Sequence, residues 1–196
     1  FWFHLKPADE AEEIMPAVPQ IKLGRIDGSI FDHGEFRRQI EPILPRMLSQ
    51  RRWFVSKARP IRQVRITDLI SLEVETTPAQ HAMLLLLVEY NEGEPDVYAV
   101  PLSTNRADAE SSEVGLLVSA IDSQGNRWLI RDGMSDPDFA RYLLKGMMED
   151  REIDAGRMRI VGRVITPSEA IDLDALPLKI PEREQSNTNA VFGEQY

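Results

Sequence analysis

The stretch that decides the fold is His81-Ala82-Met83-Leu84-Leu85-Leu86-Leu87-Val88-Glu89-Tyr90, in which the residues from Met83 to Val88 are all apolar. An apolar run this short, followed by the turn-forming residues 91–94, is typical of a strand because helices are usually longer. Continuous apolarity, rather than alternation, predicts a central strand that is buried on both faces. We therefore expect a sheet built around residues 81–90.

Strand patterns stand on both sides of this run. Residues 64–66 and 70–74 alternate apolar and polar side chains, and the change of phase around Asp68 predicts a bulge or a turn. After the turn, residues 96–102 are expected to return antiparallel to the central strand. The polar residues 103–112 are expected to form an exposed loop.

A hairpin is predicted farther along the chain. Residues 114–121 and 127–132 have strand patterns, and Gly125 between them supplies the positive φ that a tight turn needs. Residues 157–165 form another expected strand. The acidic residues 167–181 are expected to connect to the next region with one helical fragment at most.

Helical periodicity precedes the first strand. Apolar residues recur there at helical spacing, namely Phe36, Ile40, Ile43, Leu44, Met47 and Leu48. Pro42 and Pro45 cannot both lie inside one straight helix, since an interior proline costs about 3 kcal/mol. The sequence therefore predicts two short helices, with Pro45 near the first turn of the second.

A third helix is predicted to begin at Ser135-Asp136-Pro137, where a capping side chain is followed by proline. It is expected to end near Asp150. Its buried face is predicted to consist of Phe139, Tyr142, Leu143 and Met147.

Together these elements predict an α+β fold, an antiparallel sheet with helices on one face. Residues 1–30 are assigned to the end of an upstream domain and a linker, and residues 6–30 to an irregular connection. The domain itself is assigned to residues 31–166. Residues 167–196 are assigned to a linker and the first strand of a second lobe, so both ends are expected to be cuts through a longer polypeptide.

Composition excludes several classes of function. The net charge of −9 argues against a nucleic-acid surface, and no 18-residue apolar run suggests a membrane span. The chain has no cysteine, and its three histidines lack ligand spacing, so no metal site is expected. A cytoplasmic protein is the expectation. No Gly-x-Ser-x-Gly or His-Glu-x-x-His pattern occurs, and Asp132-Gly133 is expected to be only a turn.

A polar stretch near the C-terminus, Glu184-Gln185-Ser186-Asn187-Thr188-Asn189, runs into the strand-like Ala190-Val191-Phe192. Hydroxyl groups and free backbone N–H groups in a tight turn form an anion-binding concavity, and Asn tolerates the left-handed backbone of such turns. One interpretation is a phosphate-binding turn between two strands. The other, an ordinary polar turn before a strand, remains open.

This stretch, EQSNTNAVFGEQY, resembles the phosphate-binding loop of bacterial maltokinases, a branch of the aminoglycoside-phosphotransferase-like kinases. The sixth position is Asn189 where the family pattern has Ser. The resemblance implies contacts to ATP phosphates from Gln185, Ser186, Asn187 and Thr188.

A second segment, Arg51-Arg52-Trp53-Phe54-Val55-Ser56-Lys57-Ala58-Arg59, is similar to the (Q/R)RWFGGKGR segment of the same kinases. The family glycines are replaced by Val55, Ser56 and Ala58. Lys57 and Arg59 are candidate contacts to phosphate or to an acidic substrate. The alternative is a basic loop that caps the second helix and leads into a strand through Pro60.

The first residues, Phe1 to Leu5, are similar to the YWFRL-type segment that closes the C-terminal β-domain of trehalose synthases. This similarity implies a protein in which a trehalose synthase precedes the kinase. An aromatic arm packed on a core is the alternative.

The resemblance implies a maltokinase N-terminal cap domain followed by the start of a protein-kinase-like lobe. The whole enzyme would use ATP and Mg to convert maltose to maltose 1-phosphate, with catalytic and metal-binding residues in a later lobe. This fragment alone is expected to have no catalytic residues and to bind no cofactor; its expected contacts are intramolecular, with the kinase lobe and a trehalose synthase domain. The alternative is a non-catalytic interaction or linker module that joins two carbohydrate-active enzymes.

Overall fold

A computed structural model describes residues 18–51, 53–75, 77–108, 111, 114–155, 158–163, 177–179 and 191–192. Six strands form the main sheet: β1 (Gln20–Lys22), β2 (Ile61–Leu72), β3 (Gln80–Tyr90), β4 (Asp96–Arg106), β5 (Leu116–Ile121) and β6 (Arg127–Asp132). Their spatial order is β1-β5-β6-β4-β3-β2. All neighbours pair antiparallel except β1, which lies parallel to β5.

Three α-helices accompany the sheet: α1 (Gly34–Ile40), α2 (Leu44–Ser49) and α3 (Pro137–Met148). Short 3-10 turns at Glu41–Ile43 and Gly133–Ser135 join α1 to α2 and β6 to α3. Two small antiparallel sheets follow, one of β7 (Glu152–Ala155) and β8 (Met158–Val161), the other of β9 (Leu178–Lys179) and β10 (Val191–Phe192). The chain therefore has an α+β fold.

Strand β3 lies between β2 and β4 and is apolar on both faces, as predicted. Successive side chains of a strand point to opposite faces. The side chains of Leu84, Leu86 and Val88 are buried on one face of the sheet, which we call the first face, in the first core. The side chain of Leu85 is buried on the opposite, second face, in the second core. Both faces of β3 must therefore be covered by other elements.

Strand β2 contains the predicted bulge. Ile66 lies opposite Leu86 and Asp68 lies opposite Leu85, so Thr67 is an extra residue without its own partner on β3. An extra residue shifts the alternation of faces, which explains the change of phase in the sequence. The side chains of Ile66 and Ile70 consequently belong to different cores.

The two prolines divide the first helical region as predicted. Pro42 lies in the 3-10 turn between α1 and α2, and Pro45 lies in the first turn of α2. Neither position requires the N–H that proline lacks. Phe36 and Leu44 from these helices are fully buried against the first face of the sheet.

Helix α3 covers the opposite face, so the prediction that all helices lie on one face is wrong. Phe139 is 0% exposed and packs in the second core with Ile70 and Leu85. The physical reason is the two-sided apolarity of β3, which requires cover on each side. Met147, predicted on the buried face of α3, is 46% exposed.

Two other segments differ from the sequence prediction. Residues 20–22 form β1, although an irregular connection was expected, and Ile21 is buried in the first core. Strand β4 continues to Arg106 because β6 pairs with its polar end, where an exposed loop was expected from residue 103. The hairpin of β5 and β6 is confirmed, with Gly125 at φ +81°.

The division of the chain at residues 30 and 166 remains a prediction. Phe1 to Leu5 lie outside the described residues. Within the described part of the chain, no helix is both long enough and apolar enough to cross a membrane.

Candidate functional site

The predicted phosphate-contacting residues Gln185, Ser186, Asn187 and Thr188 lie outside the described residues. Two short strands, one before and one after these residues, lie within the described part of the chain. Val191 of β10 pairs antiparallel with Lys179 of β9, and Phe192 pairs with Leu178. The polar stretch thus belongs to the connection between two paired strands, and the predicted strand at Val191 is confirmed. Strand β9 lies where a helical fragment at most was expected.

The segment from Arg51 to Arg59 connects α2 to β2 and is fixed by aromatic packing. Phe54 is 1% exposed, and its ring centroid lies 5.2 Å from that of Tyr98 on β4. The Trp53 ring lies 6.1 Å from the same tyrosine. These contacts hold the segment against the end of the β3–β4 hairpin.

The carboxylate of Asp96 at the start of β4 joins the segment to this hairpin. Its Oδ2 atom accepts hydrogen bonds from the Tyr90 hydroxyl at 2.7 Å, the Ser56 hydroxyl at 2.8 Å and Arg59 Nη1 at 3.2 Å. Hydrogen bonds from Tyr90 and Ser56 lower the pKa of Asp96, because they stabilise its charged form. Burial raises the pKa of Tyr90, so this residue remains a neutral donor.

The guanidinium group of Arg59 makes further contacts with the β3–β4 hairpin. Its guanidinium carbon lies 3.6 Å from the centroid of the Tyr90 ring, and Nη2 donates to the backbone oxygens of Glu92 and Glu94. For Arg59 the geometry favours the structural alternative, a basic loop between α2 and β2. Lys57 is exposed to solvent.

None of the three positions at which the family pattern has glycine requires glycine in this chain. Among the described residues, Asp150 alone combines a side chain with a positive φ, so Val55, Ser56 and Ala58 have ordinary backbone conformations. The Ser56 hydroxyl bonds to Asp96, whereas Val55 is 77% exposed. The glycine replacements therefore cause no backbone strain here.

Asp132-Gly133 is a structural turn, as predicted. The Asp132 side chain accepts a hydrogen bond from the Met134 N–H at 3.0 Å and so caps the 3-10 turn before α3. A Cβ atom on Gly133 would lie 2.8 Å from the Phe139 ring, which explains why glycine is required. Burial raises the pKa of Asp132.

A polar cluster between the sheet and α3 was not predicted from the sequence. Asp136 Oδ2 accepts a hydrogen bond from the Ser103 hydroxyl at 2.6 Å and lies 2.9 Å from His81 Nε2. Asp136 Oδ1 caps α3 by accepting from the N–H of Asp138. The His81 ring stacks on Phe139 with centroids 4.8 Å apart.

The Asp136 cluster has the residue types of a hydrolase triad but not the arrangement. In a triad, histidine takes the proton of the serine nucleophile, whereas here both His81 and Ser103 contact the same carboxylate oxygen. Desolvation alone would raise the pKa of Asp136, but the contacts with His81 and Ser103 outweigh it and lower the pKa to about 2. The cluster therefore attaches α3 to β3 and β4.

Neither the Asp96 cluster (Ser56, Arg59, Tyr90 and Asp96) nor the Asp136 cluster (His81, Ser103 and Asp136) provides a metal site. In the described part of the chain, no group of three or more His, Cys, Asp or Glu side chains is arranged to hold a metal ion. The Asp96 and Asp136 clusters both use their carboxylates to connect secondary-structure elements.

Part of this chain matches a known protein family. Residues 47–136 match the family described as the maltokinase N-terminal cap domain. The matched range begins within α2 and ends at the residue that caps α3. It contains the segment 51–59 and the two carboxylates Asp96 and Asp136, but not the stretch 185–188.

Proposed function

Because residues 47–136 match the maltokinase N-terminal cap domain, we propose that this chain is the N-terminal part of an ATP-dependent maltokinase. In this proposal the cap supports an ATP-binding lobe that begins with the segment after residue 166. The family match is the observation that carries the proposal. A cytoplasmic location, where ATP is available, belongs to the same proposal.

The proposed reaction transfers the γ-phosphoryl group of ATP to the C1 hydroxyl of maltose. The bond between the β–γ bridging oxygen and the γ-phosphorus breaks, a new oxygen–phosphorus bond forms, ADP leaves and the sugar hydroxyl loses its proton. Residues 185–188 would orient the phosphates through hydroxyl, amide and backbone N–H groups. The antiparallel pairing of β9 and β10 supports this assignment, because it brings together the two ends of the connection that carries these residues.

Catalysis and Mg²⁺ binding are assigned to the following lobe. The described domain offers no cluster of three acidic or histidine side chains for a metal. Its role in the proposal is mechanical, since Phe54 and the Asp96 cluster fix the segment 51–59 on the sheet. Fusion to an upstream trehalose synthase is a further part of the proposal, supported by the resemblance at Phe1 to Leu5.

The test uses the whole polypeptide that carries this chain, with ATP consumption measured against maltose, glucose and an aminoglycoside. We expect consumption with maltose and formation of maltose 1-phosphate. The double variant Ser186→Ala/Thr188→Ala should raise the KM for ATP by roughly tenfold to a hundredfold, since a hydrogen bond to a charged group contributes about 1.5–3 kcal/mol. The KM for maltose should stay unchanged.

Val55→Ala is the matched control, because this exposed side chain lies outside the proposed phosphate contacts. A protein that consumes no ATP with any sugar would refute the kinase assignment and favour a non-catalytic module between two carbohydrate-active enzymes. An active kinase whose KM for ATP does not respond to the double variant would refute the assignment of residues 185–188 alone.

A further inference from the structure

Strand β2 is the outermost strand of the main sheet on one side. It is twelve residues long, and no described strand pairs with its outer side. The outer side of such a strand presents backbone N–H and C=O groups that another strand can bind. Long edges of this kind must be protected if the protein is not to associate through them.

Two side chains from the first helical region cover the middle of this edge. Glu41 Oε1 accepts a hydrogen bond from the Ile66 N–H at 2.9 Å, and Arg37 Nη2 donates to the Ile66 backbone oxygen. In an antiparallel pair, the N–H and C=O of one residue both point toward the neighbouring strand or both point away from it. Since both groups of Ile66 bind side chains, they point away from β3 and lie on the outer edge.

Arg37 and Glu41 together have the hydrogen-bonding groups of a strand residue. Their charged groups lie 3.5 Å apart at i,i+4 spacing, so one donor and one acceptor stand side by side. A residue of an added antiparallel strand would present the same pair, its N–H to the Ile66 oxygen and its C=O to the Ile66 N–H. Nearby, the Leu69 N–H donates to Asp68 Oδ1 at 3.0 Å, which occupies another backbone donor next to the bulge.

A contribution to folding stability is a weak explanation for the presence of the Arg37–Glu41 ion pair. The side chains of Arg37 and Glu41 are 53% and 31% exposed, and exposed ion pairs contribute only about 0–1 kcal/mol. Protection of the backbone is a stronger explanation, because the pair satisfies both groups of the residue directly before the bulge.

We propose that the Arg37–Glu41 pair occupies a strand-addition site on β2 and thereby prevents pairing with β2 of a second copy of this chain. A second copy fits because a two-fold axis brings the same edge from both copies together in antiparallel orientation. Charge permits this contact, since Arg62 and Arg65 on β2 both pair with Glu89 at 3.2 and 3.4 Å. Pairing with Glu89 therefore reduces the repulsion between the arginines of the two copies.

The experiment compares the chain with its Arg37→Ala/Glu41→Ala variant by light scattering after size exclusion over a range of concentrations. We expect the variant to reach twice the mass of the parent protein as concentration rises. Hydrogen exchange at the Ile66 amide locates the contact. This amide should exchange faster in dilute variant and become protected again in the dimer, because the second copy replaces Glu41 as the acceptor.

Two controls separate edge pairing from general destabilisation. Glu41→Gln keeps an acceptor for the Ile66 N–H, and Arg38→Ala removes a neighbouring arginine of α1 that is 74% exposed; both should keep the mass of the parent. Arg37→Met, which keeps the apolar stem and frees only the Ile66 oxygen, is the milder variant if the double variant does not fold, and it should dimerise more weakly.

The proposal is overturned if the folded variants keep the parent mass at every concentration. It is equally overturned if they associate while the Ile66 amide continues to exchange rapidly, because association would then use another surface.

Discussion

The two faces of the main sheet are held in different ways. The first face is covered by α1, α2 and the segment 51–59 through a broad apolar core that includes Phe36 and Phe54. The second face has a smaller core around Phe139 of α3, bordered by the hydrogen bonds of Asp136. Beyond this core, Val97 of β4 is 67% exposed.

This difference predicts which contacts can be lost without unfolding the whole domain. Many apolar residues share the first face, so removing one side chain creates a cavity in a core on which the whole sheet depends. On the second face, one carboxylate accepts hydrogen bonds from the helix backbone and from two strands, so a single charge change affects the attachment of α3. We expect the first face to determine global stability and the second to determine the docking of one helix.

The largest effect is expected from Phe54→Ala. Truncating a buried phenylalanine costs about 3–5 kcal/mol, because both the transfer energy and the contacts around the cavity are lost. Chemical denaturation followed by tryptophan fluorescence and circular dichroism measures this loss. Val55→Ala is the control, since its side chain is 77% exposed and its effect should remain within about 0.5 kcal/mol. Equal effects of the two variants would contradict the assignment of Phe54 to the core.

A smaller, pH-dependent effect is expected from Asp136. Its pKa is lowered to about 2 in the folded protein from 3.8, so its stabilising contribution is complete above pH 4 and is lost as the pH falls toward 2. The shift corresponds to about 2 kcal/mol of unfolding free energy. Asp136→Asn should remove this part of the pH dependence.

Hydrogen exchange of α3 and denaturation between pH 5 and pH 2 measure the effect. Asp138→Asn, which removes a carboxylate from the same helical turn, is the matched control and should keep the slope of the parent protein. If the Asp136 variant retained the full acid dependence, the contacts with His81 and Ser103 would not be what stabilises the carboxylate.

Local patterns were sufficient for much of this fold. Pro42 and Pro45 predicted the break between α1 and α2, and the shift of alternation around Asp68 predicted the bulge in β2. Each of these features depends on residues within one or two turns or strand repeats. Patterns of such short range along the chain can be recognised in a single sequence.

Features that depend on distant residues were not predicted. Ser56, Tyr90 and Asp96 meet only after β3 and β4 have paired, and His81 meets Asp136 only after α3 has folded onto the sheet. Ser103 lies in a polar stretch that predicted a loop, yet it is paired within the sheet and its hydroxyl donates a hydrogen bond to Asp136. The side chains of residues 185–188 lie outside the described residues, so their role remains a prediction from resemblance.

The smallest effect is expected at the end of α3, where Asp150 has φ +50°. The Asp150 N–H donates to the Met147 oxygen at 3.2 Å and the Arg151 N–H to the Gly146 oxygen at 2.8 Å, which is a helix end closed by a left-handed residue. Glycine adopts this backbone without steric cost, and a carboxylate at a helix C-terminus opposes the helix dipole. Asp150→Gly should therefore raise the unfolding free energy by about 0.5–1 kcal/mol.

Two further variants separate the two causes. Asp150→Asn removes the charge but keeps a residue that tolerates the left-handed region, and Asp150→Ala removes the charge and disfavours that region. Thermal denaturation should rank the stability as Gly, then Asn, then Asp, then Ala. If Ala stabilised the protein as much as Gly, the charge would be the cause and the backbone argument would be wrong.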